Sequence, residues 1–467
     1  MVFSSFAFLC FFLPIIFILY YIIPSAKVRN YILMFASLVF YAYGEPVYIL
    51  LLLISVFINY IFGIILDKKK SRAVLAVAVI LNVSFLFVFK YLAFFIASFN
   101  MLPTGLHIPD VSISLPIGIS FYTFQAISYI VDDYRGDVKG QKNFFKLLLY
   151  ISFFPQLIAG PIVKYHDFEH QIDNRIADPS KIKDGIIRFS IGLSKKILIA
   201  NRVGFVADKI FQTDMSNMSA LGAWLGAFAY LMQIYYDFSG YSDMAIGLGK
   251  IFGFEFAENF NYPYISVGIK EFWRRWHISL STWFKEYIYI PLGGNRKGKA
   301  RTLVNKYIVF AATGIWHGAN WTFLLWGLYH GTLLVIEDSL KDIRFFEKIG
   351  KNKAFRFVAR IYTLLAVCIG FVLFRSDSIG QAFMMFKNML FINTGIIKPD
   401  VVTLVSPIYI FVYIIAVIGC TGVVKKVFEK INAKTDIVLM AFSIVNLLLC
   451  YMSLASNAYN PFIYFRF

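Results

Sequence analysis

The sequence is poor in charge. Only 15% of its 467 residues are Asp, Glu, Lys or Arg, whereas 59% are hydrophobic. Soluble domains carry about a quarter of their residues as charges, and no soluble core could absorb this much apolar sequence. The shortage of charge therefore argues against a water-soluble protein and predicts a chain whose main solvent is lipid. The 51 Phe and 29 Tyr agree with this class, because aromatic rings suit membrane spans and interfaces.

Cysteine and the common catalytic motifs are also scarce. The four cysteines each lie in an apolar run without a CxxC pair, so they are interpreted as small buried hydrophobes: Cys10, Cys368, Cys420 and Cys450. No Walker A motif, GxSxG elbow or HExxH pair occurs, which argues against nucleotide-loop, hydrolase-elbow and zinc-protease chemistry. No internal repeat is visible, which argues against an inverted-repeat transporter.

Positive charge is in excess, with 45 Lys and Arg against 27 Asp and Glu. In a soluble protein this excess would suggest nucleic acid, but here no basic stripe lies on a soluble domain. The cations concentrate in short loops such as residues 67–72, which is typical of cytosolic loops in a membrane protein. We therefore expect a lipid bilayer as a partner and no nucleic acid.

Apolar runs recur along the whole chain. Because one transmembrane helix needs about 20 apolar residues, we predict an all-α polytopic membrane protein with roughly eleven to thirteen membrane segments. Residues 6–23 are expected to be a retained span, since no basic region precedes them and no small-residue cleavage site follows. Breaks at Pro155, Gly160 and Pro161 predict re-entrant helices beside protein or a cavity. Residues 1–467 are expected to form one membrane domain without a separate soluble domain.

Residues 268–331 stand out, because they hold six of the seven tryptophans and three of the six histidines. Within residues 272–290, aromatic side chains recur every three or four positions. Polar side chains recur on the opposite face, namely Arg274, His277, Ser281 and Lys285. This pattern predicts one amphipathic helix that lies at the interface or lines a protein cavity. A surface helix held by an aromatic belt is the structural alternative.

A second histidine, His317, lies in residues 303–337, which are predicted to form one membrane helix. Gly314 and Gly318 have the spacing that lets another helix approach closely, and Asn320 and Trp321 would share the histidine's face. A histidine in lipid is costly and is therefore a candidate functional residue. Kept neutral by burial, it could take a proton from a hydroxyl as a general base.

Two carboxylates, Asp237 and Asp243, lie among aromatic residues near a predicted span, where they are costly unless partnered. We expect them to orient a histidine or to hold Arg274 or Arg275, with a purely structural network as the alternative. No metal is expected, because two histidines forty residues apart make a poor metal site without a third ligand, although Asp237 or Asp243 could supply one. His330 is interpreted as structural.

Six stretches together resemble a known family. They are LPIGISFYTFQAISYIVDDYRG at 115–136, FFPQLIAGPI at 153–162, YYDFSGYSDMAIG at 235–247, FWRRWHISLSTWFKEYIYIPLGG at 272–294, GIWHGANW at 314–321 and PFIYFRF at 461–467. They are similar to the membrane-bound O-acyltransferase (MBOAT) family, closest to its bacterial branch of alginate O-acetylation proteins. The resemblance covers essentially the whole chain and implies the MBOAT fold, with helices around a central tunnel. Residues 272–338 are then its catalytic core, with His317 as the near-invariant family histidine and His277 as the second.

The resemblance implies an O-acetyltransferase of the bacterial cytoplasmic membrane. In that branch an acetyl group enters from the cytosol and is passed to an extracytoplasmic polysaccharide, often through a separate SGNH-type acetyltransferase partner. We then expect acetyl-CoA or another acyl thioester as co-substrate, without a bound cofactor. His317 would be the general base, and His277 would polarise the thioester carbonyl or relay the proton. The expected donor-binding residues are Arg274, Arg275, Lys285, Ser281, Asp237, Trp316, Asn320 and Trp321.

Many membrane spans with charged residues inside them are also typical of two other classes of protein. A transporter or flippase for a glycan precursor predicts internal pseudo-symmetry and no need for Trp-framed histidines. A scaffold that recruits a periplasmic enzyme predicts that both histidines are dispensable. Within the acyltransferase reading, acetyl-CoA and an acylated carrier protein both suit the donor role. Alginate, other exopolysaccharides, cellulose and peptidoglycan all suit the acceptor role.

Overall fold

The computed structural model describes residues 1–175, 178–341, 352–390, 405–430, 435–456 and 459–461. These residues are mostly helical and contain no β-strand, which confirms the predicted all-α class. They divide into two compact units. The first unit comprises residues 1–189 and 241–257, and the second comprises residues 190–240 and 258–467.

The first unit starts with a π-helical turn, Ala7–Phe12. The helices that follow are α1 Leu13–Ile22, α2 Ala26–Gly44, α3 Ile49–Lys68, α4 Arg72–Leu86, α5 Leu92–Asn100, α6 Ile119–Arg135, α7 Phe144–Ser152, α8 Phe154–Leu157 and α9 Tyr165–Asn174. The boundary between the units falls within two further helices, α10 Pro179–Ser194 and α12 Ala220–Ile251.

Helix α6 is buried almost throughout. Gly118 precedes it with φ +79°, and a Cβ there would lie 2.8 Å from the carbonyl oxygen of Leu157. Only glycine meets both demands easily. Asp243, one of the two acids that were predicted to need a partner, lies in this unit. Its carboxylate accepts from Arg188 at 2.5 Å, so its partner is a cation other than the expected Arg274 or Arg275.

The second unit contains the remaining helices. They are α11 Asn201–Phe211, α13 Ile269–Arg275, α14 Ile278–Phe284, α15 Lys299–His317, α16 Trp321–Lys341, α17 Lys353–Arg375, α18 Ile379–Met389, α19 Pro407–Gly419, α20 Val423–Lys430 and α21 Thr435–Ala455. Aromatic and aliphatic side chains of α11, α12, α13 and α17 form its core. This core carries the segments that the sequence singles out for chemistry.

Four helices of the described residues are long and apolar enough to cross a membrane: Ile49–Lys68, Arg72–Asn100, Lys353–Arg375 and Ile437–Ala455. Ala7–Ile22 and Pro407–Gly419 are shorter apolar helices. The protein is therefore a multi-pass membrane protein, as predicted, whereas the count of eleven to thirteen segments stays a prediction. None of the four cysteines forms a disulfide, but Cys10 is exposed and is not the buried residue that was expected.

The single helix predicted over 272–290 is wrong, because the structure interrupts it. Trp276 is extended and His277 is left-handed, with φ 44° and ψ 56°. The backbone N–H of Ile278 donates to the carbonyl oxygen of Asn259 at 3.0 Å. This bond to an earlier part of the chain replaces the bond that a continuous helix would make within itself. A left-handed histidine is strained, and side-chain spacing cannot reveal it.

The single helix predicted over 303–337 is also wrong, because the chain reverses after His317. Gly318 is extended, and α16 begins at Trp321, where the side chain of Asn320 accepts from the N–H of Thr322 at 3.0 Å. The two helices pack closely, since a Cβ at Gly314 would overlap the carbonyl oxygen of Phe323. The predicted close approach at Gly314 is therefore confirmed, but the partner is the next helix of the same hairpin.

Candidate functional site

His317 ends α15 inside a cage of aromatic rings and is only 7% exposed. Its ring centroid lies 4.9 Å from that of Trp316, 5.1 Å from that of Phe374 and 5.2 Å from that of Trp326. These neighbours come from α15, α17 and α16, so the hairpin and α17 position the imidazole together. Edge-to-face contacts of this kind fix a ring in place and exclude water from it.

His277 occupies the left-handed junction between α13 and α14 and is 1% exposed. Its Nδ1 lies 3.2 Å from Oδ1 of Asn259, and this oxygen also accepts from the backbone N–H of Ser279 at 3.1 Å. Because a backbone N–H can only donate, the Asn259 atom is the oxygen and Nδ1 of His277 carries the proton. Nε2 then holds the lone pair, and it has no hydrogen-bond partner among the described residues.

The indole of Trp316 links the two histidines. Its ring centroid lies 6.2 Å from that of His277 and 4.9 Å from that of His317. The two imidazoles are also close enough to interact electrostatically. His277 therefore belongs to one buried cluster with Trp316 and His317, which follow it by about forty positions in the sequence.

A cavity of about 950 Å³ opens beside this cluster. Five cations line it, namely Lys270, Arg274, Lys285, Lys299 and Lys306. Apolar and aromatic side chains such as Trp273 and Phe310 form much of the remaining wall. Among the predicted donor-binding residues, Arg274, Ser281 and Lys285 line this cavity.

Two of the residues that line the cavity show that it lies close to His317. Thr313 lines the cavity and lies four residues, about one helical turn, before His317 on α15. Trp273 also lines the cavity, and its ring centroid is 5.7 Å from that of Trp326, which packs on His317. A molecule held in the cavity would therefore have its inner end near the histidine cluster.

Arg275 and Asp237 have other partners. The guanidinium of Arg275 pairs with Glu271 at 2.8 Å, and the buried carboxylate of Asp237 pairs with Lys196 at 2.7 Å. The expected pairing of Asp237 with Arg274 or Arg275 is therefore wrong. A buried acid gains most from a buried cation, and Lys196 supplies one from a segment that shows no motif.

Asn320 and Trp321 lie at the turn of the hairpin. Besides capping α16, the side-chain nitrogen of Asn320 donates to the carbonyl oxygen of Asp377 at 3.0 Å. The side chain of Trp321 is 48% exposed. The chain reversal after His317 separates both residues from the helical face that the spacing predicts, so their predicted donor-binding role stays a prediction.

Asp338 also belongs to the candidate site, although no sequence pattern indicated it. Its carboxylate accepts from Nζ of Lys306 at 2.5 Å and from Nζ of Lys270 at 3.1 Å, and all three side chains line the cavity. Burial alone would raise the pKa of Asp338, but the two lysine hydrogen bonds outweigh it and hold that pKa below its usual value. The ionised carboxylate therefore fixes two ammonium groups on the cavity wall. Asn259, which fixes the tautomer of His277, was missed as well.

No group of three or more His, Cys, Asp or Glu side chains within the described part of the chain is arranged to hold a metal ion. The cluster and the cavity instead combine imidazoles, cations and aromatic walls. This set of groups suits proton transfer beside a bound anion.

Comparison with known proteins gives one family. The profile of "MBOAT, membrane-bound O-acyltransferase family" matches residues 137–379, which include both histidines and the cavity. "Probable alginate O-acetylase AlgI" of Azotobacter vinelandii is 42% identical over 397 residues, covering 83% of this chain and 78% of the relative. "Peptidoglycan O-acetyltransferase" of Helicobacter pylori is 36% identical over 434 residues, covering 84% and 80%. "Teichoic acid D-alanyltransferase" of Bacillus subtilis is 32% identical over 328 residues, covering 66% and 79%.

Proposed function

The chain belongs to the membrane-bound O-acyltransferase family and is therefore an acyltransferase, and from this premise we propose its reaction. It takes an acetyl group from a cytosolic thioester and passes it across the bacterial cytoplasmic membrane for O-acetylation of a polysaccharide. The observation that carries this proposal is the pair of buried histidines on one indole, a helical turn from a cationic cavity. Relatives named for acetylation of alginate and of peptidoglycan favour an acetyl group and a polysaccharide acceptor.

The cavity suits a thioester donor. Acetyl-CoA and acylated carrier proteins share a phosphate group and a slender pantetheine arm that ends in the thioester. Arg274 and Lys285 supply exposed cations for the phosphate, and an arginine can bind it through two hydrogen bonds. The apolar wall with Trp273 suits the arm, which would extend toward His317.

The chemistry follows from the two imidazoles. His317 takes the proton of an acceptor hydroxyl, whose oxygen attacks the thioester carbonyl carbon and forms the new ester bond. The carbon–sulfur bond breaks, and the leaving thiolate takes up the proton from the imidazolium. Because Nε2 of His277 holds a lone pair and no proton, the geometry supports proton relay for His277 over polarisation of the carbonyl.

A partner completes the proposal. Both compact units of the described residues are helical, and each contains apolar helices long enough to span a membrane. We therefore keep an extracytoplasmic SGNH-type acetyltransferase as the partner that delivers the acetyl group to the polysaccharide.

Arg274 and Arg275 offer a matched test of the donor site, because the two cations are adjacent in sequence and differ in surroundings. We expect Arg274→Ala to raise the KM for acetyl-CoA about tenfold, since it removes a cation from the cavity wall. Arg275→Ala should leave this KM unchanged, because Arg275 pairs with Glu271. Steady-state kinetics on both purified variants checks this, and equal effects on KM would contradict the placement of the donor.

Deletion of the gene tests the proposed function in cells. We expect an extracytoplasmic polysaccharide to lose its O-acetyl esters, and the intact gene, but not a His317→Ala copy, to restore them. Ester content can be measured by NMR of the purified polymers. Unchanged acetylation of every extracytoplasmic polysaccharide in the deletion strain would contradict the proposal.

A further inference from the structure

His330 is a third buried histidine, and its surroundings do not agree with a structural role. It lies on α16 with 0% exposure, and neither Nδ1 nor Nε2 has a hydrogen-bond partner among the described residues. A buried polar side chain with a structural role is normally hydrogen-bonded, because an unpaired one carries its full desolvation cost. Departures of this kind are expected at functional sites, where a bound ligand can supply the missing partner.

Aromatic rings surround this histidine. Its ring centroid lies 5.2 Å from that of Trp273 and 5.2 Å from that of Trp326. The indole nitrogens of both tryptophans are also buried and lack hydrogen-bond partners within the described residues. Three rings in mutual contact therefore carry four nitrogen atoms that lack a hydrogen-bond partner among the described residues.

The position of these rings connects the two parts of the site. Trp273 lines the cationic cavity, whereas the ring of Trp326 packs on that of His317 at 5.2 Å. His330 contacts both tryptophans, so it lies beside a chain of ring contacts that runs from the cavity through Trp273 and Trp326 to His317. The indole of Trp273 both lines the cavity and packs against His330 and Trp326.

We propose that His330 binds the donor, by hydrogen bonding to an amide of the pantetheine arm as the thioester reaches His317. The arm carries two secondary amides, and each offers one N–H donor and one carbonyl acceptor. The two indole N–H groups are donors, and a neutral imidazole adds one donor and one acceptor, so the groups are complementary. The proposal requires the Trp273 ring, which lines the cavity and packs on His330, to move aside when the arm enters. This assignment rests on the proposed function and deepens it, because it names the part of the donor that the protein recognises.

Leucine and glutamine are both close to histidine in volume, so they separate polarity from packing at this position. The probe is S-acetyl-4′-phosphopantetheine, the part that acetyl-CoA shares with acylated carrier proteins, given to the full purified chain. We expect His330→Leu to raise the KM for this probe about tenfold, the effect of one lost hydrogen bond. The thermal midpoint should stay the same or rise, because leucine needs no polar partner. His330→Gln should keep KM within about threefold of wild type.

Tyr329 provides the matched control on the adjacent residue. Its hydroxyl donates to the carbonyl oxygen of Ala366 at 3.0 Å, so Tyr329→Phe removes a satisfied hydrogen bond. We expect it to lower the thermal midpoint and leave KM unchanged, which is the opposite signature.

Two results would overturn the assignment of His330. One is an unchanged KM in His330→Leu, with or without a lower thermal midpoint, which would make the residue structural. The other is a wild-type protein that transfers acetyl from none of this probe, acetyl-CoA and an acetylated carrier protein, which would remove the proposed function itself. An active wild type with an unaffected leucine variant would remove only the role of His330.

Discussion

Replacing His317 by alanine is expected to lower acetyl transfer on the order of a hundredfold or more, as the loss of a general base does. The protein should still fold and insert, because the ring cage around His317 consists of contacts from three separate helices. Transfer from labelled acetyl-CoA by the purified variant measures the effect, and its yield from the membrane reports folding. His317→Gln, which is close to histidine in volume, should be equally inactive.

His170 supplies the control for this experiment, because it is an exposed histidine on α9 of the first unit. His170→Ala should transfer acetyl at the wild-type rate. A His317→Ala protein that reaches the membrane in normal amount and transfers at that same rate would place the base on another residue.

The second large effect on activity is expected from replacing Asn259, which acts through its hydrogen bond to His277. Leucine has nearly the shape of asparagine but cannot accept the Nδ1–H of His277, whereas aspartate can. We therefore expect Asn259→Leu to lower kcat roughly tenfold to a hundredfold with little change in KM, as loss of proton-transfer efficiency does. Asn259→Asp should keep most of kcat, and His277→Ala should be at least as impaired as Asn259→Leu. Steady-state kinetics separates kcat from KM in all three variants.

Ser279 tests whether this effect comes from the histidine or from the junction. Its hydroxyl also donates to Oδ1 of Asn259 at 2.9 Å, so Ser279→Ala removes one hydrogen bond to the asparagine without touching His277. We expect a small effect on kcat from this change. Equal losses in Asn259→Leu and Asn259→Asp would show that the asparagine acts only on local structure.

The chemistry-bearing residues were predictable because they are rare in this sequence. Histidines, tryptophans and cations are conspicuous in an apolar chain, and the structure brings His277, Trp316 and His317 into one cluster. Gly314 was predictable for a similar reason, since its small size has an obvious use between helices. Composition and spacing therefore indicated which residues would lie together, without showing the geometry of their cluster.

The geometry depends on contacts that are distant in sequence. The helix break at His277 depends on Asn259, which lies 18 residues earlier and hydrogen-bonds to His277 and Ile278. The spacing of side chains along a single helix does not reveal this contact. Asp338 reaches Lys306 only because the chain reverses after His317. A search along single helical faces could not find such partners, since each pair comes from two different elements.

The most direct test of the central claim uses inside-out membrane vesicles that enclose the polysaccharide together with the extracytoplasmic acetyltransferase partner, with labelled acetyl-CoA added on the outer, cytosolic face. Acetyl-CoA does not cross the bilayer, so the acetyl group can reach the enclosed polymer only through the protein. We predict labelled ester on the enclosed polymer, with release of an equal amount of free CoA outside, in wild-type vesicles and not in His317→Ala vesicles. Labelled polymer in equal amount from both proteins, or none from the wild type with either acetyl-CoA or an acetylated carrier protein, would contradict the account.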